Sequence, residues 1–245
     1  MSEIRYEKPK TVEEAVRLLA EAKGTARVLA GGTDVLVQMR AGRLEPELLV
    51  DIKGIEELRA IGQEAGGGYW FGAAVSCMEL IEHEGFARTW PGVTDGVKLI
   101  GSIQVKGRAT VGGNVCNASP AADSVPGLIA AGAVARVVGP MGRREVKVEE
   151  IALGPGKTVL GVGEMVTGFA LPKRVAGSGD AYLRFTPRTE MDIAVVGVGV
   201  NLTVDGKGVC TQARVGLGAV AERALLVQQA AAVLVGTKLE EGVLG

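Results

Sequence analysis

Aromatic residues are scarce in this 245-residue chain: two Trp, three Tyr and four Phe make up 4% of it. A protein that stacks nucleobases on exposed rings needs more platforms than that. Histidine occurs once, as His83 in the segment IEHEG. Ser–His–Asp hydrolysis would depend wholly on that ring, which sits between two glutamates and reads as an exposed helix end. The three cysteines, Cys77, Cys116 and Cys210, lie far apart without C-x-x-C spacing. Such a set fits reduced cytosolic thiols and supplies neither a disulfide framework nor a four-ligand zinc or iron–sulfur site. The formal charge is −1 with signs mixed throughout, so no basic stripe points to nucleic acid. No apolar run reaches the roughly 18–20 residues of a membrane span, and the start MSEIRYEKPK is no signal peptide, so a cytoplasmic protein is expected.

What the chain has is glycine, 37 residues of it, in a background that is 47% hydrophobic and rich in Val, Ala and Leu. The length suffices for a sizeable core and for one to three compact units. A first unit over 1–57 reads β–α–β–loop–α–β. It starts with a strand at Ile4–Glu7 and a helix over Val12–Lys23, whose Thr11-x-x-Glu14 is a capping box. A strand at Ala26–Ala30, one or two helical turns at Val35–Arg40 and a strand at Leu48–Ile52 complete it. A second unit over 58–172 has a strand at Tyr69–Ala74 and a Ser76-x-x-Glu79 capping box. Helical stretches at 91–100 and 124–131, a strand at Arg108–Val111, and a hairpin of 133–138 with 145–148 follow. The shift to PKRVAGSGD at 172–180 marks a boundary, and 173–245 reads as antiparallel strands with a hairpin turn at Asp205-Gly206 and a closing helix over Glu222–Val233.

Two loops carry adjacent glycines. Gly31-Gly32-Thr33-Asp34 follows a strand and precedes helical turns that Thr33 or Asp34 would cap. Gly112-Gly113 lies within ATVGGNVCNASPAAD (109–123). Adjacent glycines let backbone N–H groups close on an anion without a Cβ in the way. Each loop also reads as a plain turn between elements. Neither fits G-x-x-x-x-G-K-[ST] or G-x-G-x-x-G, so neither a P-loop nor a Rossmann site is supported. A G-x-G-x-x-A match at Val215–Ala221 has no second parallel strand with an acidic residue downstream, and reads as a glycine-rich strand end.

Together, VLAGGTDV (28–35) and ATVGGNVCNASPAADSVPGLIAAGA (109–133) resemble the FAD-binding medium subunit of molybdenum-containing hydroxylases, which include xanthine dehydrogenases and aerobic carbon monoxide dehydrogenases. RFTPRTEMDIAVVGVGV (184–200) is similar to the R-x-x-x-D-x-A segment of the same family. The resemblance implies an α+β protein: a two-lobed FAD-binding domain of the vanillyl-alcohol-oxidase (PCMH) type, followed by a small, apparently truncated α/β C-terminal subdomain. It further implies that Val28, Leu29, Ala30, Gly31, Gly32, Thr33, Asp34 and Val35, with Thr110, Val111, Gly112, Gly113 and Asn114, clamp the FAD pyrophosphate. Asp123 would accept from ribityl or ribose hydroxyls, Ile100 and Val166 would touch the cofactor, and Arg184 would lie near the flavin. No catalytic or metal-ligating residue is implied in this chain.

FAD is expected to be non-covalent, with Cys116 inside the motif as a small buried hydrophobe. Molybdopterin and [2Fe–2S] clusters would belong to a large and a small partner subunit, as a dimer of heterotrimers. The expected function is electron transfer from those clusters through FAD to an external acceptor. Val105-Lys106-Gly107 departs from the family's I-R-N. The cysteine-bearing insert of the 4-hydroxybenzoyl-CoA reductases is absent from the sequence. Two alternatives are a self-sufficient FAD-dependent oxidase or dehydrogenase of the same fold and a non-catalytic nucleotide-binding module.

Overall fold

The computed structural model describes residues 4–188 and 192–244. Its first sheet is parallel, in the order β1 (Arg5–Glu7), β3 (Leu48–Asp51), β2 (Ala26–Leu29). Helix α1 (Val12–Glu21) crosses between β1 and β2, burying Val12, Ala15, Val16 and Leu19 at helical spacing against the sheet. Thr11 caps it by accepting from Glu14 N at 3.1 Å, while the Glu14 carboxylate accepts from Lys10 N at 2.9 Å, one residue short of a capping box. The short helix α2 (Val35–Arg40) connects β2 to β3 and buries none of its residues.

The tie between β3 and the loop before α2 is electrostatic. Asp51, 4% exposed, accepts from Tyr6 Oη and from Lys53 N and lies 2.8 Å from Lys53 Nζ. The same ammonium donates to the carbonyl of Ala30 at 2.9 Å, immediately before Gly31. Burial works to raise the Asp51 pKa, but the bonds from Lys53 and Tyr6 and the Lys53 charge outweigh it, and the carboxyl sits below its ordinary range.

The second sheet is antiparallel, in the order β4 (Ile61–Gln63), β5 (Tyr69–Gly72), β10 (Met165–Leu171), β6 (Val134–Gly139), β7 (Gly142–Lys147). Between β5 and β6 run α3 (Cys77–Glu82), α4 (Glu84–Thr89), α5 (Pro91–Lys98), α6 (Ile103–Lys106), α7 (Val111–Cys116) and α8 (Ser124–Ala131). Helix α9 (Val148–Ile151) and the small hairpin β8 (Ala152–Gly154)–β9 (Lys157–Thr158) lead from β7 to β10. The Ser76–Glu79 capping box forms in full. His83 is half-buried, and its Nδ1 accepts from Phe86 N at 3.0 Å to cap α4. The scarce aromatics concentrate here: Phe71 has Phe169 and Phe86 within 5.3 and 5.5 Å of its ring centroid, and Phe86 has Tyr69 at 5.7 Å.

The expected strand at Arg108–Val111 is a correction. Only a single bridge, Ser76 to Thr110, survives there, and the chain enters α7 instead. Thr110 Oγ1 accepts from Gly113 N at 2.9 Å, which starts a helix despite two glycines of poor helix propensity.

The third sheet is antiparallel, in the order β11 (Ser178–Phe185), β12 (Val196–Val204), β13 (Cys210–Gly218), β14 (Leu225–Leu226), with α10 (Gln228–Leu234) packed on β13. The expected closing helix starts six residues late, because Leu225 and Leu226 pair with Leu217 and Gly216 before the chain turns. All of α8 is buried, wedged between α5 and this sheet. A Cβ on either Gly199 or Gly216 would stand 2.4 Å from Pro126 O. The glycines of VGLGAVA thus serve close helix–sheet packing, and the strand they belong to is antiparallel.

A buried ion pair fastens the same interface. Asp123 accepts from Tyr182 Oη and Arg184 Nη1, both at 2.8 Å, and the paired side chains of Arg184 and Asp123 are 9% and 11% exposed. Burial raises the Asp123 carboxyl above its ordinary range against the pull of Tyr182 and Arg184, and raises the Tyr182 phenol. The Arg188–Asp192 pair, by contrast, has an arginine side chain that is 81% exposed.

The folded-state lowering of Asp51 means that its stabilisation is complete above the ordinary carboxylate range and disappears as pH falls through its lowered value. Urea unfolding across acid pH should show this component, and Asp51→Asn should be weaker near neutrality while lacking it. Asp123→Ala leaves the buried Arg184 without its carboxylate and should lower the unfolding free energy by about 3–5 kcal/mol, measured by the same method. Arg188→Ala, which removes only the exposed guanidinium of the other pair, should leave it nearly unchanged.

Candidate functional site

The two Gly-Gly loops meet because neither has a side chain in the way. A Cβ on Gly31 would lie 2.1 Å from the carbonyl oxygen of Arg108, so only glycine lets the first loop lie against the chain entering the second. Gly32 has φ +79°, in the left-handed region. On the other side, a Cβ on Gly112 would lie 2.6 Å from Ala73 O. Each loop is thereby pressed onto backbone, and the two face one cleft of about 510 Å³, within the size range of cofactor pockets.

The backbone donors in this cleft are unused. Among the described residues, the N–H groups of Gly31, Gly32, Thr33, Asp34 and Gly112 donate to no protein acceptor. Neither Thr33 nor Asp34 caps α2 by its side chain, a departure from the sequence expectation that leaves these donors available. Clusters of free backbone N–H groups suit anions such as a pyrophosphate, because the dipoles are fixed and no side-chain charge needs ordering. The residues therefore fit the diphosphate of a dinucleotide.

Most of the residues singled out from the sequence line this cleft: Val28, Ala30–Val35, Ile100, Thr110, Gly112–Asn114 and Val166. Leu29 and Val111 are buried in the layers beneath it, 8% and 1% exposed. Asp123 and Arg184 are not among the lining residues and are bonded to each other. Asn114 lines the cleft while its Oδ1 accepts from Ser124 Oγ at 2.6 Å.

Sequence reasoning did not include several walls of the cleft. Gln38 is one of them, its Nε2 donating at 2.9 Å to the Oδ1 of Asn117 on the opposite side. The far wall is the Gly161–Met165 turn, where Glu164 is held at 2.7 Å by both Arg144 Nε and Nη2. The spacing of Gly161 and Gly163 reads as an ordinary turn, so nothing local marks it. Cys116 also lines the cleft, and burial pushes its thiol up to about 12, which keeps it protonated and unreactive.

Of the charged groups in the lining, Arg27 donates to the carbonyls of Gly24 and Ala26 and Glu164 is paired with Arg144. Asp34 is the third, a carboxyl without a bonded partner among the described residues whose pKa burial raises, and no histidine lies in the lining. No group of three or more metal-ligating side chains occurs among the described residues, and no helix there is long and apolar enough to cross a membrane.

Comparison with known proteins agrees with this geometry. Residues 2–174 match the model of the FAD binding domain in molybdopterin dehydrogenase, and residues 181–245 match the CO dehydrogenase flavoprotein C-terminal domain. The carbon monoxide dehydrogenase medium chain of Afipia carboxidovorans is 34% identical over 236 residues, covering 96% of this chain and 81% of that one. A putative xanthine dehydrogenase FAD-binding subunit of Escherichia coli is 32% identical, covering 92% of this chain and 77% of that one. Among solved structures, a chain of Cu,Mo-CO dehydrogenase superposes with TM-score 0.94 at 33% identity, covering all (100%) of this chain and 85% of its own. A chain of quinoline 2-oxidoreductase from Pseudomonas putida does so with TM-score 0.89 at 27% identity, covering 98% and 82%. The mixed α/β fold is that of these flavoprotein chains, and the chain belongs to the family of FAD-binding medium subunits of molybdenum-dependent dehydrogenases, which are oxidoreductases.

Proposed function

We propose that this chain is the electron-transfer subunit of a molybdenum hydroxylase complex, taking electrons from [2Fe–2S] clusters of a small partner subunit and passing them through FAD to an external acceptor. The observation that carries the reading is the cleft itself, with unused N–H donors from two loops and no histidine among its lining residues. FAD, when bound, supplies the capacity to exchange electrons in ones and twos. The chain's own residues bind, orient and shield.

In this reading Gly31–Asp34 and Gly112 grip the pyrophosphate with their free N–H groups, Gly113, whose N–H is spent on Thr110 Oγ1, gives close approach, and Val28, Ile100 and Val166 give apolar contact. Leu29 and Val111 hold the two loops from beneath. Asp123 and Arg184 act from behind the cleft as a pair, setting how the third sheet seats against α8 and bringing Arg184 Nη1 to the carbonyl of Leu99, next to Ile100, at 3.3 Å. The raised pKa of Cys116 supports non-covalent attachment. The residues group as lobe 1 over 1–57, lobe 2 over 58–172 and a C-terminal subdomain over 173–245, the first two forming a FAD-binding domain of PCMH type. The molybdopterin would be held by a large partner subunit in a dimer of heterotrimers, working in the cytoplasm.

A self-sufficient oxidase or dehydrogenase would need a substrate-side acid or base, and a passive nucleotide-binding module would not cycle its flavin. The purified chain should show flavin absorption that dithionite bleaches and small alcohols or amines alone do not. Bleaching by a single small substrate would overturn the electron-transfer assignment. Acid precipitation should leave the yellow colour in the supernatant. Gly31→Val and Gly112→Val should each abolish flavin retention, read as visible absorbance after gel filtration, because a branched side chain at either position forces the loop off the backbone it lies against. Full flavin content in both variants would place the grip elsewhere.

A further inference from the structure

Two short helices carry the Gly-Gly loops, and neither is long enough to be stable alone. Helix α2 has six residues, none of them buried, and no side-chain cap. What fixes its direction is therefore its ends and any side chain that reaches the other side of the cleft. Gln38 does so: its Nε2 donates to Asn117 Oδ1 at 2.9 Å across 79 residues of sequence. Both side chains belong to half-buried residues in the lining.

The placement of the two amides is matched. Gln38 N donates to Asp34 O at 2.9 Å, so Gln38 stands one turn beyond the first Gly-Gly loop. Asn117 N donates to Gly113 O at 2.8 Å, so Asn117 stands one turn beyond the second. The close approach of Gly31 to Arg108 O joins the loops at one point, and the amide pair joins the elements behind them at another. Two separated ties fix both the distance and the angle between the loops, whereas one contact would leave a pivot.

We propose that Gln38 and Asn117 are positioning residues for the cofactor: their amide pair is a clasp that sets the spacing of the two pyrophosphate loops and slows FAD release. This rests on the reading that both loops grip FAD.

The test is a double-mutant cycle on the full chain, stripped of flavin and titrated with FAD by fluorescence, with the thermal midpoint of the flavin-free protein measured alongside. Gln38→Leu and Asn117→Leu should each weaken FAD binding by about three- to tenfold, the range of one neutral hydrogen bond, mainly by faster release. The double variant should be no weaker than the weaker single, and the exchange Gln38→Asn with Asn117→Gln, which keeps the combined length of the pair, should regain affinity. The flavin-free midpoint should stay unchanged in all of them. Wild-type affinity in both singles, additive losses in the double, or a loss of affinity that follows the thermal midpoint would each overturn the clasp. Failure of the wild-type chain to bind FAD at all would instead overturn the reading on which the clasp rests.

Discussion

The constraint that organises this molecule is the contact of Gly31 with the carbonyl of Arg108, where a Cβ would lie 2.1 Å from oxygen. A parallel sheet with its own helix and an antiparallel sheet with many helices are otherwise separate pieces of chain. Their cores do touch, since Met165 of the second sheet and Ala74 just after β5 belong to the cluster built around Val50 and Leu48 of the first. That shared apolar layer brings the two sheets together, but it is non-directional and would tolerate sliding. The backbone contact at Gly31, with Lys53 holding the carbonyl of Ala30 from below, converts apposition into register. The unused N–H groups converge only because of that register.

The same device, glycine against backbone, seats the third sheet. Gly199 and Gly216 admit Pro126 O, and Gly92 has its would-be Cβ 2.6 Å from Ala181 N. Close packing of this kind leaves little room for a polar group, so the charge pairs placed there must be complete: Arg174 Nη2 lies 2.6 Å from Asp180, and Arg184 Nη1 lies 2.8 Å from Asp123. Asp123 is consumed by Tyr182 and Arg184, which explains why a carboxylate in an FAD motif need not touch the cofactor to matter. Its removal acts on the joint between α8 and β11, and through Arg184 on the segment at Leu99 and Ile100 that borders the cleft.

Local signals in the sequence marked most elements where the chemistry is local. The Ser76–Glu79 box, the turn at Asp205-Gly206 and the alternating strands all depend on residues within a few positions of one another. The N–H loops were legible too, because adjacent glycines have few other uses. What the sequence concealed depends on distant partners. Thr110–Cys116 has strand-like flanks and two glycines, and becomes a helix only because Thr110 caps it and Gly112 fits on Ala73. Gln38 looks like an ordinary helix-surface amide, since its partner is 79 residues away. Leu225 and Leu226 suit a helix equally well until Gly216 and Leu217 offer them a strand edge.

The composition of the cleft follows from the division of labour in such a complex. A group that performs acid–base chemistry needs a titratable side chain near its working pH, and that chain must be buried, tuned and supported. A group that only holds a cofactor can rely on backbone donors, which carry no titration and keep their geometry from pH 5 to pH 9 alike. In this chain the charged side chains Arg27 and Glu164 are tied to neighbours, and the thiol of Cys116 is held protonated. The cleft presents fixed dipoles and apolar walls, so whatever is oxidised or reduced in it must be the cofactor. Asp34 is the exception: its carboxyl lines the cleft without a bonded partner among the described residues and burial raises its pKa, so the first Gly-Gly loop brings a titration of its own to flavin binding.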